Sequence, residues 1–464
     1  MFLTSSTTGN WLLLAIVAMI AAHSWHLYRQ GRWMMLDPLN AFWAGILLCY
    51  VQQPMLASDI FISWHNEDIF VKTLFATLTG LVFVVLSYEM NWGGSIARII
   101  PQPPARLNSE KLLIAAWSII ALGLAGYSYI INLSGGLDQW LSVGRGGTDY
   151  DKVQGYWPML IDALPAGVFL LLFRSSAHRV SRLGSVLAYI AVALMWWWFL
   201  YLGTRSRIIN LTILVLAALY LPKRRNPNFA LALGIFVALQ VIVDFQAAYR
   251  GNFTGLSFNM GSIDKGEMWR TILPGVLGGD RQDKRAQVSQ GAEFNCAMAV
   301  MELVPQKVPY NYGYGFLELL TRPIPRAIWP NKRYPHLESV QGVLFEGHLS
   351  DSINPNVRNE ELLMGPSFGF VGHWYYVGGF VGLVLGALMT GTLLRMIREF
   401  YNVGERGEGT MITYPFLVSI GFLEASATPL YWVYNLPFVL LPFFVMFYFC
   451  REEGIQARLR ATSR

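Results

Sequence analysis

Long apolar runs separated by short polar stretches make up most of the chain. Windows such as "WLLLAIVAMIAAHSWHLY", "LLIAAWSIIALGLAGYSYII" and "LPFVLLPFFVMFYFC" are the kind that cross a bilayer core of roughly 30 Å as helices. At roughly 20 residues per crossing the pattern predicts about eleven spans. Their limits are 11–28, 39–57, 70–90, 112–132, 157–173, 183–202, 207–222, 228–248, 367–394, 410–428 and 431–450. Residues 246–366 break the pattern. Loops beyond about 15 residues are usually functional or carry structure of their own. Within this one, "FNCAMAVMELV" and "YGYGFLELLTRPIPRAIWP" read as short amphipathic helices separated by proline turns.

Composition agrees with a membrane protein. The 464 residues are 54% hydrophobic and only 14% charged, against about a quarter charged in soluble proteins. The start, "MFLTSSTTGN", has no basic n-region, so the first apolar run is expected to be a retained span. Of the three cysteines, Cys49 and Cys450 fall in apolar runs and Cys296 stands alone in a polar region. That leaves no disulfide framework and no cysteine metal site. The connections "RQGR", "ARIIPQPPARLNSEK", "RSSAHRVSR" and "PKRRN" are basic and recur at every second crossing. The positive-inside rule assigns them to the cytoplasm, together with the tail "REEGIQARLRATSR", and puts the N-terminus outside.

The expectation is an all-α polytopic membrane protein with about 11 transmembrane helices and one large extracytoplasmic loop containing short helices. It divides into an N-terminal bundle (1–245), a periplasmic loop or lid (246–366) and C-terminal helices with a cytoplasmic tail (367–464). The other outer segments are "SDIFISWHNED", "GGLDQWLSVGRGGTDYDKVQGYW" and the short turn "GTRSR". No internal repeat suggests two transporter halves.

The turn "GTRSR" carries chemistry. Residues 183–222 cannot be one helix, because about 40 residues would run roughly 60 Å, twice the hydrocarbon thickness. The chain must turn back at this polar, Gly-containing stretch, which leaves Arg205 and Arg207 at the N-terminal end of the following helix. Unpaired N–H groups and the positive dipole end reinforce the arginine charge there, as an anion site requires. The plainer alternative is snorkelling of both guanidiniums to lipid phosphate. The large loop adds cations on the side where they are scarce, among them Arg250, Arg322, Arg326 and Lys332. Pro323, Pro325, Pro330 and Pro335 hold part of it in a rigid path, and guanidinium forks match phosphate oxygens.

These residues resemble the bacterial oligosaccharide repeat-unit polymerases, the O-antigen polymerase (Wzy-type) family, with O-antigen ligases as more distant relatives. "GTRSR" is similar to the family's Gly/Ser-Arg turn. "YGYGFLELLTRPIPRAIWPNK" resembles its Ile-Pro-Arg-x-x-Trp-Pro-x-Lys segment, and "GPSFGFVGHWYYVGGFVG" its Gly-rich loop-to-helix entry. The resemblance implies glycosyl transfer between undecaprenyl-pyrophosphate-linked oligosaccharides, donor and acceptor both lipid-linked, at the outer face of the bacterial inner membrane. It implies no cofactor and no metal, so cations such as Arg205 and Arg326 would stabilise the departing pyrophosphate. Arg207, Arg250, Arg322, Lys332 and Arg145 are the further binding candidates. His373 would take the acceptor hydroxyl proton, with Glu360, Glu361 and Asp351 as rival bases. An interfacial histidine in an aromatic belt is the plainer reading of His373. A chain-length regulator protein is a candidate partner beside membrane lipid, and no nucleic acid is expected.

Other functions compete. O-antigen ligation differs only in acceptor. A polyprenyl-phosphosugar-dependent glycosyltransferase would use a metal at "WHNED" (His65, Glu67, Asp68). A flippase or transporter would need discontinuous helices and a polar midplane. Asp162 and Glu424, acids inside apolar spans, mark functional or partnered positions.

Overall fold

The computed structural model describes residues 4, 6–133, 135–137, 160–161, 163–178, 180–201, 205–227, 231, 234, 293–313, 329, 367–404, 406–427, 429 and 442–451. Their regular structure is helical, with one isolated β-bridge between Leu107 and Arg451. Six described helices are long and apolar enough to cross a membrane: Thr7–Arg29, Pro38–His65, Glu67–Glu89, Ser109–Leu133, Arg182–Leu200 and Gly369–Val403. The described residues are thus all-α, with helices of the length and apolarity of membrane spans; Ala163–Ala177 and Arg207–Tyr220 are shorter apolar helices.

The chain forms two compact units. The first comprises Met1–Ile99, Asp280–Glu399 and Val418–Tyr434. Its helix α1 (Thr7–Arg29) starts where Ser6 Oγ accepts the Gly9 amide at 3.0 Å. Helix α2 (Pro38–Ile46) starts at Asp37, whose carboxylate accepts the Leu39 amide, with Pro38 in the first turn where its missing N–H costs nothing. A π-helical turn, Leu47–Gln52, leads into α3 (Gln53–His65). The expected outer loop 58–68 is therefore helix as far as His65. Asn66 alone turns the chain at φ 111°, and its side chain caps α4 (Glu67–Glu89) through the Ile69 amide. Polar residues at helical spacing with apolar neighbours extended the helix beyond the apolar run. Residues Phe70, Thr73, Leu74, Thr77, Leu81, Val84 and Tyr88 form the buried face of α4. The short α5 (Trp92–Ala97) follows.

At one end of this unit charges are tied together. Arg398 Nη1 donates to Asp37 Oδ2 at 2.6 Å and to the Tyr88 hydroxyl at 2.8 Å, and Arg398 also reaches the Arg32 carbonyl. Glu89 bridges His23 Nε2 and Arg32 Nη1, each at 3.0 Å. Burial pushes the Asp37 carboxyl above its ordinary pKa, while Arg398 beside it pulls the other way.

The second unit comprises Ile100–Gly279, Phe400–Leu417 and Asn435–Arg464. It contains α6 (Ser109–Leu133), α7 (Ala163–Ala177), α8 (Arg182–Tyr201) and α9 (Arg205–Tyr220). Close packing of α6 on α7 uses Gly123 and Gly167, where a β-carbon would meet Leu164 and Ile120, and Gly126 makes the same room for Leu160 and Ile161 just before α7. Leu183, Leu187, Ile190, Leu194 and Trp197 lie exposed along one face of α8. An apolar stripe of that length is the surface a helix presents to lipid.

Two expected elements of the first unit are built differently. Helix α10 (Glu293–Leu303) was expected to lie amphipathic on an outer lid; instead Phe294–Met301 and Leu303 are buried on every side. Phe294 packs against Tyr50, Phe61 and Phe70. Helix α11 (Gly369–Val403) was expected as one span, 367–394, but breaks at Gly378 and Gly379. Phe370, before the break, and Leu383, after it, both lie against Gly80 of α4. Trp374 before the break packs on Gly386 after it, where a β-carbon would overlap the indole. Residues 369–377 are thus an arm that folds back at Gly378 and Gly379 against the stretch after the break, which continues past Arg398 to Val403. Helix α12 (Glu408–Ser426) is shared between the two units by sequence, its first part in the second.

Candidate functional site

Residues 183–222 are two helices, as the length argument requires: α8 ends at Tyr201 and α9 begins at Arg205, and 202–204 between them lie outside the described residues. Arg205 and Arg207 therefore occupy the first turn of α9, where up to four amides lack helical partners. Arg207 is half-buried. The side chain of Arg205 lies outside the described residues, as do Arg145, Asp162, Arg250, Arg322, Arg326, Lys332, Asp351, Glu360 and Glu361.

His373 sits on the folded-back arm with its ring edge-on to Trp374 at 5.1 Å. It is 4% exposed and belongs to the interior of the first unit. The arm starts deep in that unit. Gly369 (φ 57°) stands beside Tyr50, whose hydroxyl accepts the Val371 amide at 3.1 Å, while Ser367 Oγ accepts the Gly369 amide. Close by, Gln53 ties the start of α10 to itself: its Oε1 accepts the Phe294 amide at 3.1 Å and its Nε2 donates to Glu293 Oε2 at 2.6 Å. Two helix N-termini and one carboxylate thus meet near Tyr50 and Gln53.

A second polar group lies at the end of the unit opposite Asp37. His65 Nδ1 is 2.7 Å from Glu302 Oε2, and Nε2 is 2.9 Å from Asn295 Oδ1. With oxygens on both sides the ring donates twice only when doubly protonated; turning the Asn295 amide over would offer an N–H to a neutral ring. The His65 ring is buried and the Glu302 carboxylate half-exposed, so the pair links interior to surface. Lys72 Nζ reaches the Met301 carbonyl at 3.3 Å, near the C-terminal end of α10, and lies 5.0 Å from the Tyr375 ring centre. A cation there suits the negative end of the helix dipole.

This geometry bears on the "WHNED" motif. His65 turns inward to Glu302 and Asn295, while Glu67 and Asp68 are exposed in the first turn of α4. The three do not converge, and the described residues contain no cluster of three or more His, Cys, Asp or Glu side chains fit to hold a metal. Glu424 is buried and accepts from Thr390 Oγ1 at 3.1 Å, a partnered acid. Asn295 and Glu302 were missed from sequence. They stand seven residues apart, two helical turns, and so share one face of an otherwise apolar helix, a signal open to reading. Compared with protein-family models, curated proteins and solved structures, the chain matches none.

Proposed function

We propose that the chain is a membrane glycosyltransferase that polymerises oligosaccharide repeat units carried on undecaprenyl pyrophosphate. In this reading it works at the outer face of the bacterial inner membrane. The observation that carries the reading is the start of α9 at Arg205, four residues after the end of a helix long and apolar enough to cross a membrane. It supports anion binding at a helix N-terminus by residues whose motif resembles the polymerases' own.

Displacement at the donor's anomeric carbon releases a lipid pyrophosphate, whose growing charge needs cations fixed before the reaction. Arg205, Arg207 and the lid's Arg326 supply them, aided by Arg322, Arg250, Lys332 and Arg145. The acceptor hydroxyl loses its proton to a base, for which His373 is the candidate. Because that ring is buried, the acceptor must enter the first unit to meet it. Glu360, Glu361 and Asp351 take its place if His373→Gln keeps turnover. A chain-length regulator protein is the partner this activity would call for.

The test is a single-turnover reaction of the purified chain with lipid-linked repeat units in excess chelator. Wild type is expected to form multimers, and Arg205→Lys and Arg326→Lys, which keep charge but lose the fork, to slow the reaction at least about tenfold. Loss of wild-type activity with chelator, alongside active variants, would sink the reading. A transporter is the second reading, favoured by the broken α11 with its buried start. It predicts movement of the lipid-linked saccharide across vesicle membranes with no change in chain length.

A further inference from the structure

Four connections of the second unit end beside one another: the approach to α6, the end of α7, the turn after α9 and the turn before α12. Between them lies a cleft of about 420 Å³ whose lining includes Arg106, Ala177, Arg224, Arg406, Glu408 and Met411. Its walls are fastened together. The Glu408 and Gly409 amides donate to the Ala105 and Pro104 carbonyls at 3.0 and 3.1 Å.

The single acid of the described lining is engaged away from the arginines. Glu408 Oε2 accepts the Leu107 amide at 2.7 Å, and Oε1 lies 3.5 Å from His178 Nε2. Among the described residues, Arg106, Arg224 and Arg406 form no ion pair. Arg406 is steadied over the Tyr401 ring at 5.6 Å, a contact that leaves its charge uncompensated.

The backbone gives a second, independent sign. Arg224 and Arg406 adopt left-handed φ of 51° and 54°. Glycine or asparagine takes that conformation with less strain, so the turns themselves give no reason for arginine. Two turns thus hold guanidiniums, against local preference, at the rim of one cleft.

Position indicates what fills it. The lining lies within a few residues of the ends of α6, α7, α9 and α12, and α6 is long enough to cross a bilayer. Lipid phosphates lie at the ends of membrane-crossing helices, and basic pockets there bind acidic headgroups. Guanidinium forks match phosphate oxygens better than any other side chain.

We infer that this cleft is a phosphate site occupied by the headgroup of an anionic phospholipid, held by Arg106, Arg224 and Arg406. It lies at the opposite end of α9 from Arg205 and does not depend on the polymerase reading. A soluble phosphate compound shares the chemistry, so the test separates the two sources.

The full chain, purified in detergent, is offered phosphatidylglycerol or phosphatidylcholine, and retained lipid is read by native mass spectrometry. Inorganic phosphate is titrated separately against thermal unfolding. The main variant is Arg224→Gly with Arg406→Gly, because glycine accepts both left-handed turns. Arg106→Gln, at an exposed position, is the second. Wild type is expected to prefer phosphatidylglycerol about tenfold or more, and the double variant to lose that preference with its melting temperature in phosphatidylcholine unchanged. Arg106→Gln should weaken it partially. If wild type and both variants retain phosphatidylglycerol equally, the site is refuted. If inorganic phosphate stabilises wild type alone, without any lipid preference, the cleft holds a soluble phosphate and the headgroup assignment fails.

Discussion

Asp37 and Arg398 illustrate how single residues act in this chain. A buried carboxylate and a guanidinium 2.6 Å apart, with Tyr88 and a backbone carbonyl filling their remaining positions, are stable only as a set. Removing one partner leaves the other charge buried and uncompensated, at a cost of about 3–5 kcal/mol. Asp37→Asn should therefore lower the melting temperature of the purified protein markedly, whereas Asp37→Asn with Arg398→Met should recover much of the loss. An additive double variant would show that the two do not act as a pair. His65 and Glu302 pose a different case, since one partner is half-exposed. Glu302→Gln keeps the shape and a hydrogen bond to His65, so melting is expected to change by about 1 kcal/mol or less. A much larger loss would mean that the carboxylate charge itself holds α10 in place.

At the scale of elements, α10 and α11 depart furthest from expectation. A helix of alanine, methionine, valine and phenylalanine with three polar positions reads as amphipathic when its surroundings are taken to be water. In the first unit the apolar residues pack on all sides and the polar ones find Gln53 and His65, so the same residues serve a buried helix. In α11 the reversal rests on Gly379, at φ 66° and placed so that a β-carbon there would meet the Tyr310 hydroxyl. Gly379→Ala should cost about 1–3 kcal/mol through strain in the left-handed region and the clash with Tyr310. Gly386→Val should be at least as harmful, since Trp374 occupies the space of any side chain there. Thermal unfolding in detergent measures both; unchanged melting of Gly386→Val would contradict the packing of the folded-back arm.

For the whole molecule the open question with a direct readout is which way the helices cross. The basic connections predict that Lys223 faces the cytoplasm and Asp68 the exterior. The native cysteines Cys49, Cys296 and Cys450 are buried, so the background labelling is low. A cysteine replacing Asp68 should react with a membrane-impermeant thiol reagent in intact cells, and one replacing Lys223 only after permeabilisation. The reverse pattern would turn the proposed active face inward and remove the polymerase reading.

The sequence by itself determined the class, most of the described helix positions and the division of 183–222 into two helices. Each rests on a property local to the chain: apolar run length, helical rise and polar turn residues. Hydropathy read Gly369–Val403 as one span because a Gly-Gly pair inside an apolar run carries no charge to mark a break. Only packing decided that the arm doubles back, that His373 is interior, and that His65 meets Asn295 and Glu302 some 230 residues away. The three arginines of the cleft likewise come from three connections, each legible only as a basic loop. Their shared site arises because the start of α6, the end of α9 and the start of α12 come together in the second unit, a relation between distant segments that no local pattern encodes.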